Sequence, residues 1–445
     1  MGACNESISR RSYALKHLGL KAKSWLRTRL PLSKLVGENK ILPMILLLGI
    51  ITLFFFNLLP SLLTRFDYPA LERRYKNWMA NPGDLNWFIN DSDLYAYAGW
   101  NYVHGTSPDE INFEHPPLAK YLIGLSIVFF NNQNIIGAAL GVFSLLILYE
   151  LSKKLLGRSL FSLVPVYMLS LERIFIGFSS TSMLDIYLVF FLLLSFFLFS
   201  HSDNDIWMFG GAIALGLASA CKQSALLAAP SLLIPLIMRK RKTAWIFLIQ
   251  IVVVAFLAYC LTYAWFFVNG HNFSDFFELQ RRIFLFQYGR RYEGSPPPGR
   301  LLLTLLTGIA GPETRYIIYV DEVSNTIDIV TKHGLSMVSE FNILTWPLCF
   351  SAAVISSYRA AKTRNIAILQ SCAYFFSFLV PFTFSQSFAW YLLPVFPMGF
   401  LLLTSNFKGI AEKSNRRVFF VAFLAYLIAL LAWSRFLVIP SFIEF

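Results

Sequence analysis

The sequence predicts an all-α polytopic membrane protein with about eleven transmembrane helices. Three observations carry this. The 445-residue chain is 56% hydrophobic and only 14% charged, and its 44 phenylalanines represent more apolar surface than a water-facing globule can hide. Apolar runs of spanning length recur along it. Basic residues gather beside those runs on alternate connections.

The first run, 41–63, is long enough to span and lacks a small-residue cleavage site, so it is not a secretory signal. Further runs lie near 135–152, 160–177, 183–200, 206–221, 224–238, 244–268, 341–357, 366–383, 388–404 and 418–438, those near 160–177 and 206–221 being short. Threaded alternately from a cytoplasmic N-terminus, the inner segments carry 23 Lys or Arg against 15 in the longer outer ones. Among the inner ones are KKLLGR (153–158), RKRK (239–242), YRAAKTR (358–364) and NFKGIAEKSNRR (406–417). The C-terminus, PSFIEF, is then extracytoplasmic. The net charge of +13 sits beside spans, so nucleic acid is not an expected partner.

Residues 1–40 hold nine Lys or Arg against two acids, with Leu, Tyr and Trp interspersed. That composition suits a basic amphipathic segment on an anionic cytoplasmic membrane face. It is also that of an organelle transit peptide. The transmembrane core, where any catalytic site is expected, occupies 41–268 and includes an outer loop, 64–134, ending in PPLAKYLIGLSIVFF, an apolar stretch read as a surface helix. A second outer loop, 269–340, holds the basic pairs Arg281/Arg282 and Arg290/Arg291, a Ser-Pro-Pro-Pro turn at 295–298, and alternating runs at 316–320 and 326–330 that predict a hairpin around a polar turn. C-terminal transmembrane helices fill 341–445. The five cysteines, Cys4, Cys221, Cys260, Cys349 and Cys372, are scattered and form neither a disulfide framework nor a metal-ligand spacing.

Ionisable groups are concentrated in 90–120, NDSDLYAYAGWNYVHGTSPDEINFEHPPLAK, where keeping them at a bilayer rim points to function. Asp91 and Asp93 precede a segment read as a helix ending at Gly105. Acids there cap a helix, act as a general base, or pair on a divalent metal; the spacing leaves all three open. His115 precedes Pro116 and Pro117, which open a helix, and Lys120 lies one turn on. The result is a cationic, donor-rich helix end that phosphate favours. The bland alternative is a snorkelling Lys120 and a solvated His115. Further on, Glu172 and Arg173 neutralise each other in the plainest reading. Asp185, inside an apolar run, requires a partner or a role. Lys222 interrupts another apolar stretch on the same outer side. The Asn-x-Ser sequons at Asn90 and Asn272 face outward.

An acid followed by aromatics and Ala, then HPPLAK (115–120), then SMLDIYLVFF (182–191) resembles the protein O-mannosyltransferase family, and more broadly the GT-C membrane glycosyltransferases that use polyprenyl-phosphate sugars. Weaker echoes are CKQSALLAAP (221–230) and SFAWYLLPVFP (387–397). The resemblance implies a GT-C-like fold with two long outer loops, and a site in the first of them. The implied reaction is inverting transfer of a hexose, mannose first, from a polyprenyl- or dolichyl-phosphate sugar to an extracytoplasmic hydroxyl on protein or glycan. The family motif reads Asp-Glu; Asp91 aligns with its Asp, with Tyr95 and Ala98 in matching places, but position 92 is Ser. The catalytic base is thus left between Asp91 and Asp93, with a divalent metal at that pair as a further option. His115, Lys120, Arg173, Asp185 and Lys222 would hold the donor's phosphate and sugar, Asp185 by binding sugar or orienting His115 or an arginine. The second loop is too short for the inserted domain of the eukaryotic enzymes, so a compact prokaryotic or archaeal member is implied, in the plasma membrane, with the endoplasmic reticulum as the other location. A glycolipid or lipid A-type acceptor, and a transporter or flippase of lipid-linked sugars, are the competing functions. A transporter would place its charges at the bilayer midplane between related halves.

Overall fold

A computed structural model describes residues 41–81, 84–201, 205–235, 244–289, 298–321, 326–385, 387–437 and 439–444. The segment 1–40, RKRK at 239–242, Arg290 and Arg291, most of the proline turn at 295–298, and the centre of the hairpin lie outside these residues. The fold is predominantly helical, and each apolar run of the sequence coincides with helix over its described part.

α1 (Ile41–Leu62) opens the bundle. The first loop then contributes α2 (Tyr68–Ala80), α3 (Asp91–Val103) and α4 (Leu118–Phe130), the last where a surface helix was expected. α5 (Ile135–Leu156) is continuous. The run near 160–177 is not: α6 (Val164–Ser170) and α7 (Arg173–Ser179) meet at 66°, because Glu172 adopts an extended backbone (φ −71°, ψ 119°) and caps α7. α8 (Leu184–Ser200) and α9 (Asp205–Cys221) follow. After short helical turns to Leu232 come α10 (Ala244–Leu261), α11 (Ala264–Val268), α12 (Phe273–Gly289) and α13 (Arg300–Thr307). The last four helices are α14 (Trp346–Thr363), α15 (Ile366–Thr383), α16 (Phe396–Lys413) and α17 (Arg416–Phe436).

The chain is an integral membrane protein. Among the described residues, four helices are long and apolar enough to cross a bilayer alone, or five spans if the bent α6–α7 pair counts as one. The remaining expected spans fall on shorter apolar helices such as α8 and α9 or on longer, less apolar ones such as α14 and α16. α8 is apolar on all sides because it is enclosed, with Leu184, Ile186, Leu188, Leu192, Leu193 and Phe196 all buried. α1 and α17 are also apolar yet hardly buried, as expected of helices whose solvent is lipid.

The hairpin forms with the expected strands lengthened: β1 (Ile309–Asp321) pairs antiparallel with β2 (Thr326–Met337), Ile317 opposite Val330 and Ile318 opposite Ile329. A third strand, β3 (Phe442–Glu444), adds to β2 with Leu335 opposite Ile443, an exception to an all-helical reading. It brings the end of α17 to the second loop. Arg435 also bonds Asn57 near the end of α1, at 2.6 Å. Both loops, the C-terminal strand and the α6–α7 break therefore share one end of the bundle.

α3 and α4 cross in backbone contact. A Cβ at Gly99 would lie 2.4 Å from the Lys120 carbonyl oxygen, and one at Gly124 would lie 2.1 Å from that of Gly99. Only glycines permit that approach, and it fixes the pitch of α3, whose first turn carries the acids.

Candidate functional site

The site is built on the first turn of α3. Asn90, extended at φ −76°, ψ 164°, caps the helix by accepting from Asp93 N–H at 2.9 Å. Its side-chain amide donates back to Asp93 Oδ2 at 3.1 Å, and Arg74 of α2 reaches the same oxygen at 2.6 Å. The helix thus begins at Asp91, ends at Val103 and is followed by Gly105 at φ +107°. Capping belongs to Asn90 rather than to either acid. Asp93 is engaged by a cation and an amide, while Asp91 is exposed at the helix N-terminus, where the peptide dipoles favour a carboxylate. Side chains two apart on a helix do not face each other. Asp93 turns to Arg74, so Asp91 and Asp93 do not present the paired carboxylates a shared metal would need, and among the described residues no group of three or more His, Cys, Asp or Glu is gathered for a metal.

Ser92, which stands where the family motif carries its second acid, faces the turn before α8. Ser182 N–H donates to Ser92 Oγ at 3.2 Å, Ser182 O–H donates to the Ser92 carbonyl at 2.8 Å, and the two hydroxyl oxygens are 2.8 Å apart. Three residues beyond Ser182, Asp185 is 2% exposed and receives Lys222 Nζ on both carboxylate oxygens, at 2.9 and 3.1 Å. The Lys222 ammonium also lies over the Tyr391 ring, 5.0 Å from its centre. Asp185 therefore holds Lys222, a partner not among those expected for it.

These elements converge electrostatically. The Asp91 charge acts on both Tyr95 and Lys222. Burial, and then the charges of Asp91, Asp185 and Glu114, push the Tyr95 phenol well above its usual range, so it stays protonated. The His115 ring stands edge-on to Tyr95 with 6.1 Å between ring centres. From the second loop, α12 closes over the same strip: Arg282 stacks on Phe113 at 3.7 Å, and Gln287 donates to the Glu114 carbonyl at 2.9 Å. The structure thus gathers Asp91, Tyr95, His115, Asp185, Lys222 and Tyr391.

Two expected members are elsewhere. Lys120 is fully buried and donates to the carbonyls of Asn112 and His115, the latter at 2.9 Å, with its ammonium 5.6 Å from the Tyr102 ring centre. It ties the loop before α4 together instead of facing a ligand. Arg173 donates to the carbonyls of Ser339 (3.0 Å), Trp433 (2.9 Å), Ser434 (3.3 Å) and Leu437, closing the end of α17. Nor is it paired with Glu172, whose Oε2 accepts from Trp346 Nε1 at 3.1 Å. Conversely, Arg74, Ser182 and Tyr391 were not singled out from the sequence. Ser182 opens the SMLD element and Tyr391 lies in SFAWYLLPVFP, so motif position was the signal available for both.

Residues 114–265 match the family described as dolichyl-phosphate-mannose-protein mannosyltransferase, and the resemblance read from HPPLAK and SMLD holds. The structure is similar to the crystal structure of ArnT from Cupriavidus metallidurans bound to undecaprenyl phosphate, with TM-score 0.55 and 15% identity over 77% of this chain and 59% of that one. It is also similar to the apo state of the same ArnT, with TM-score 0.51 and 15% identity over 77% of this chain and 57% of that one. This chain therefore spans less than two thirds of the ArnT length. No curated protein sequence matches it. At this identity the likeness establishes the fold, which is the GT-C fold expected.

Proposed function

We propose that this chain is a membrane glycosyltransferase that moves a sugar from a polyprenyl-phosphate donor to an extracytoplasmic hydroxyl in one inverting displacement. The observation that carries the reading is the clasp of Ser92 on Ser182. It joins the start of α3, which carries Asp91, to the turn before α8, which carries Asp185 and through it Lys222, and this supports a shared role for the three. Asp91 takes the acceptor's proton as its oxygen bonds the anomeric carbon, and the bond from that carbon to the phosphate oxygen breaks. The departing phosphate gains negative charge, which Lys222, His115 and Arg282 would offset in this reading. Asp185 holds the Lys222 ammonium in register. The GT-C fold and the family description support a polyprenyl-phosphate sugar, and the description supports mannose with a protein acceptor. Gathering of the charges at one end of the bundle, rather than halfway along it, favours an enzyme over a transporter. A plasma membrane or endoplasmic reticulum, where polyprenyl carriers reside, is the setting.

The test is sugar transfer in membranes from radiolabelled polyprenyl-phosphate mannose and other polyprenyl-phosphate hexoses to protein and glycan acceptors. Transfer by the intact protein and its loss in Asp91→Asn supports the reading. No transfer with any of these donors, or undiminished transfer by Asp91→Asn, overturns it.

A further inference from the structure

The site described lies at the N-terminal end of α8. Some 15 residues along that helix, roughly 22 Å away at the usual helical rise, a cleft of about 280 Å³ opens at the opposite end of the bundle. It lies where α5 and α8 end and α15 begins, and Leu151, Leu155, Phe196 and Leu401 supply apolar walls. Two features distinguish it from a bare packing gap. Gln370 of α15 lines the cleft, is 2% exposed, and its Nε2 has no hydrogen-bond partner among the described residues. A buried amide donor left this way is costly and calls for an acceptor. At the mouth, Lys154 is exposed and bonds the Ser200 backbone carbonyl, so its ammonium is held at the rim. Lys408 is anchored nearby, donating to the Leu156 carbonyl at 2.8 Å, which makes this end of the bundle basic.

Apolar walls, one buried donor without a partner and a cation at the rim match the parts of one molecule. We infer that the cleft binds an anionic phospholipid, with acyl chain against Leu151, Phe196 and Leu401, an ester carbonyl accepting from Gln370, and the phosphodiester charge beside Lys154. Each group on the lipid thus has a complement in the cleft. This site is separate from the sugar-transfer site, and its occupancy is read without any activity assay.

The experiment is native mass spectrometry of the detergent-purified protein with dioleoylphosphatidylglycerol or dioleoylphosphatidylcholine. The variants are Lys154→Gln, Gln370→Leu and, as a control on the same basic end, Lys362→Gln. Retention of phosphatidylglycerol over phosphatidylcholine is expected. Lys154→Gln should reduce that retention about five-fold, as one basic residue near an anionic lipid contributes, while Gln370→Leu weakens both lipids and Lys362→Gln weakens neither. Equal retention of the two lipids, or an equal loss from Lys154→Gln and Lys362→Gln, overturns the inference. Should Gln370→Leu fail to fold, the exposed Lys154 and its control still decide the matter.

Discussion

Ser92 and Ser182 hold each other through three hydrogen bonds of 2.8 to 3.2 Å across 90 residues of sequence. Both backbones take part, so the clasp fixes the start of α3 against the start of α8 and not merely two side chains. Alanine at either position removes a hydroxyl from a shielded junction. A misplacement of about 1 Å at a reacting group costs on the order of 100-fold in rate. Ser92→Ala and Ser182→Ala should therefore lower the turnover of sugar transfer by ten- to 100-fold with little change in donor KM, whereas Ser92→Thr, which keeps the hydroxyl, restores most of it. Steady-state kinetics on the three variants checks this.

Asp93 and Asp91 should behave oppositely. Asp93 is bonded by Arg74 and Asn90 in a partly exposed setting, and such an ion pair contributes at most about 1 kcal/mol. Asp93→Asn should lower thermal stability slightly and leave transfer within a few-fold of wild type, while Asp91→Asn loses the general base, a factor of about 10² to 10⁴. Parallel thermal unfolding and transfer assays separate the two.

The Asp185–Lys222 pair is largely dry, so breaking one half of it strands the other charge. Asp185→Asn or Lys222→Met should each cost about 3–5 kcal/mol, and the double substitution should recover part of that loss. Unfolding of the three variants in detergent measures it.

Lys120 supplies a pH signature. Burial brings its ammonium down to about 7 from the ordinary lysine value of 10.5, despite the opposing pull of Glu114. Between those values the unfolded chain binds the proton and the folded one does not, so stability rises with pH across this window. Below about 7 both forms are protonated and the burial penalty is fully present. Wild type should gain a few kcal/mol between pH 7 and 10, and Lys120→Met should lack that gain, as melting temperatures over the range will show.

The glycine contact of α3 with α4 is equally exposed to test. Gly124→Ala forces a Cβ to within 2.1 Å of a backbone oxygen that cannot rotate away. Separation of the helices should cost about 1–3 kcal/mol and also reduce transfer, because α3 carries Asp91. Thermal unfolding alongside the transfer assay detects both losses.

What the sequence made legible follows from the range of the physics involved. Apolar runs report on the bilayer locally, so the helices that lie on them were readable, whereas α2, α12 and α13, which are not spanning runs, were not; the hairpin, whose strands are neighbours, was readable too. The start of α4 at Pro116 and Pro117 was also local. The partner of Asp185 was not: residues 185 and 222 meet only once α8 and α9 pack. Arg173 carried the right charge in the right region, yet open carbonyls at the end of α17, some 260 positions later, claim it. The partners of Lys120 were hidden for a similar reason, since nothing in HPPLAK announces that the loop from Asn112 folds back over the ammonium. β3 is three residues long and has no signal outside its pairing.

That last strand bears on the order of events during synthesis. β2 emerges with the edge at Gly334–Ser336 unpaired, and an open strand edge invites any passing strand. Its own partner, Phe442–Glu444, is translated only after α14 to α17. Until then the nascent protein carries an adhesive seam, and whatever shields it during that interval governs how much of the product escapes misassembly.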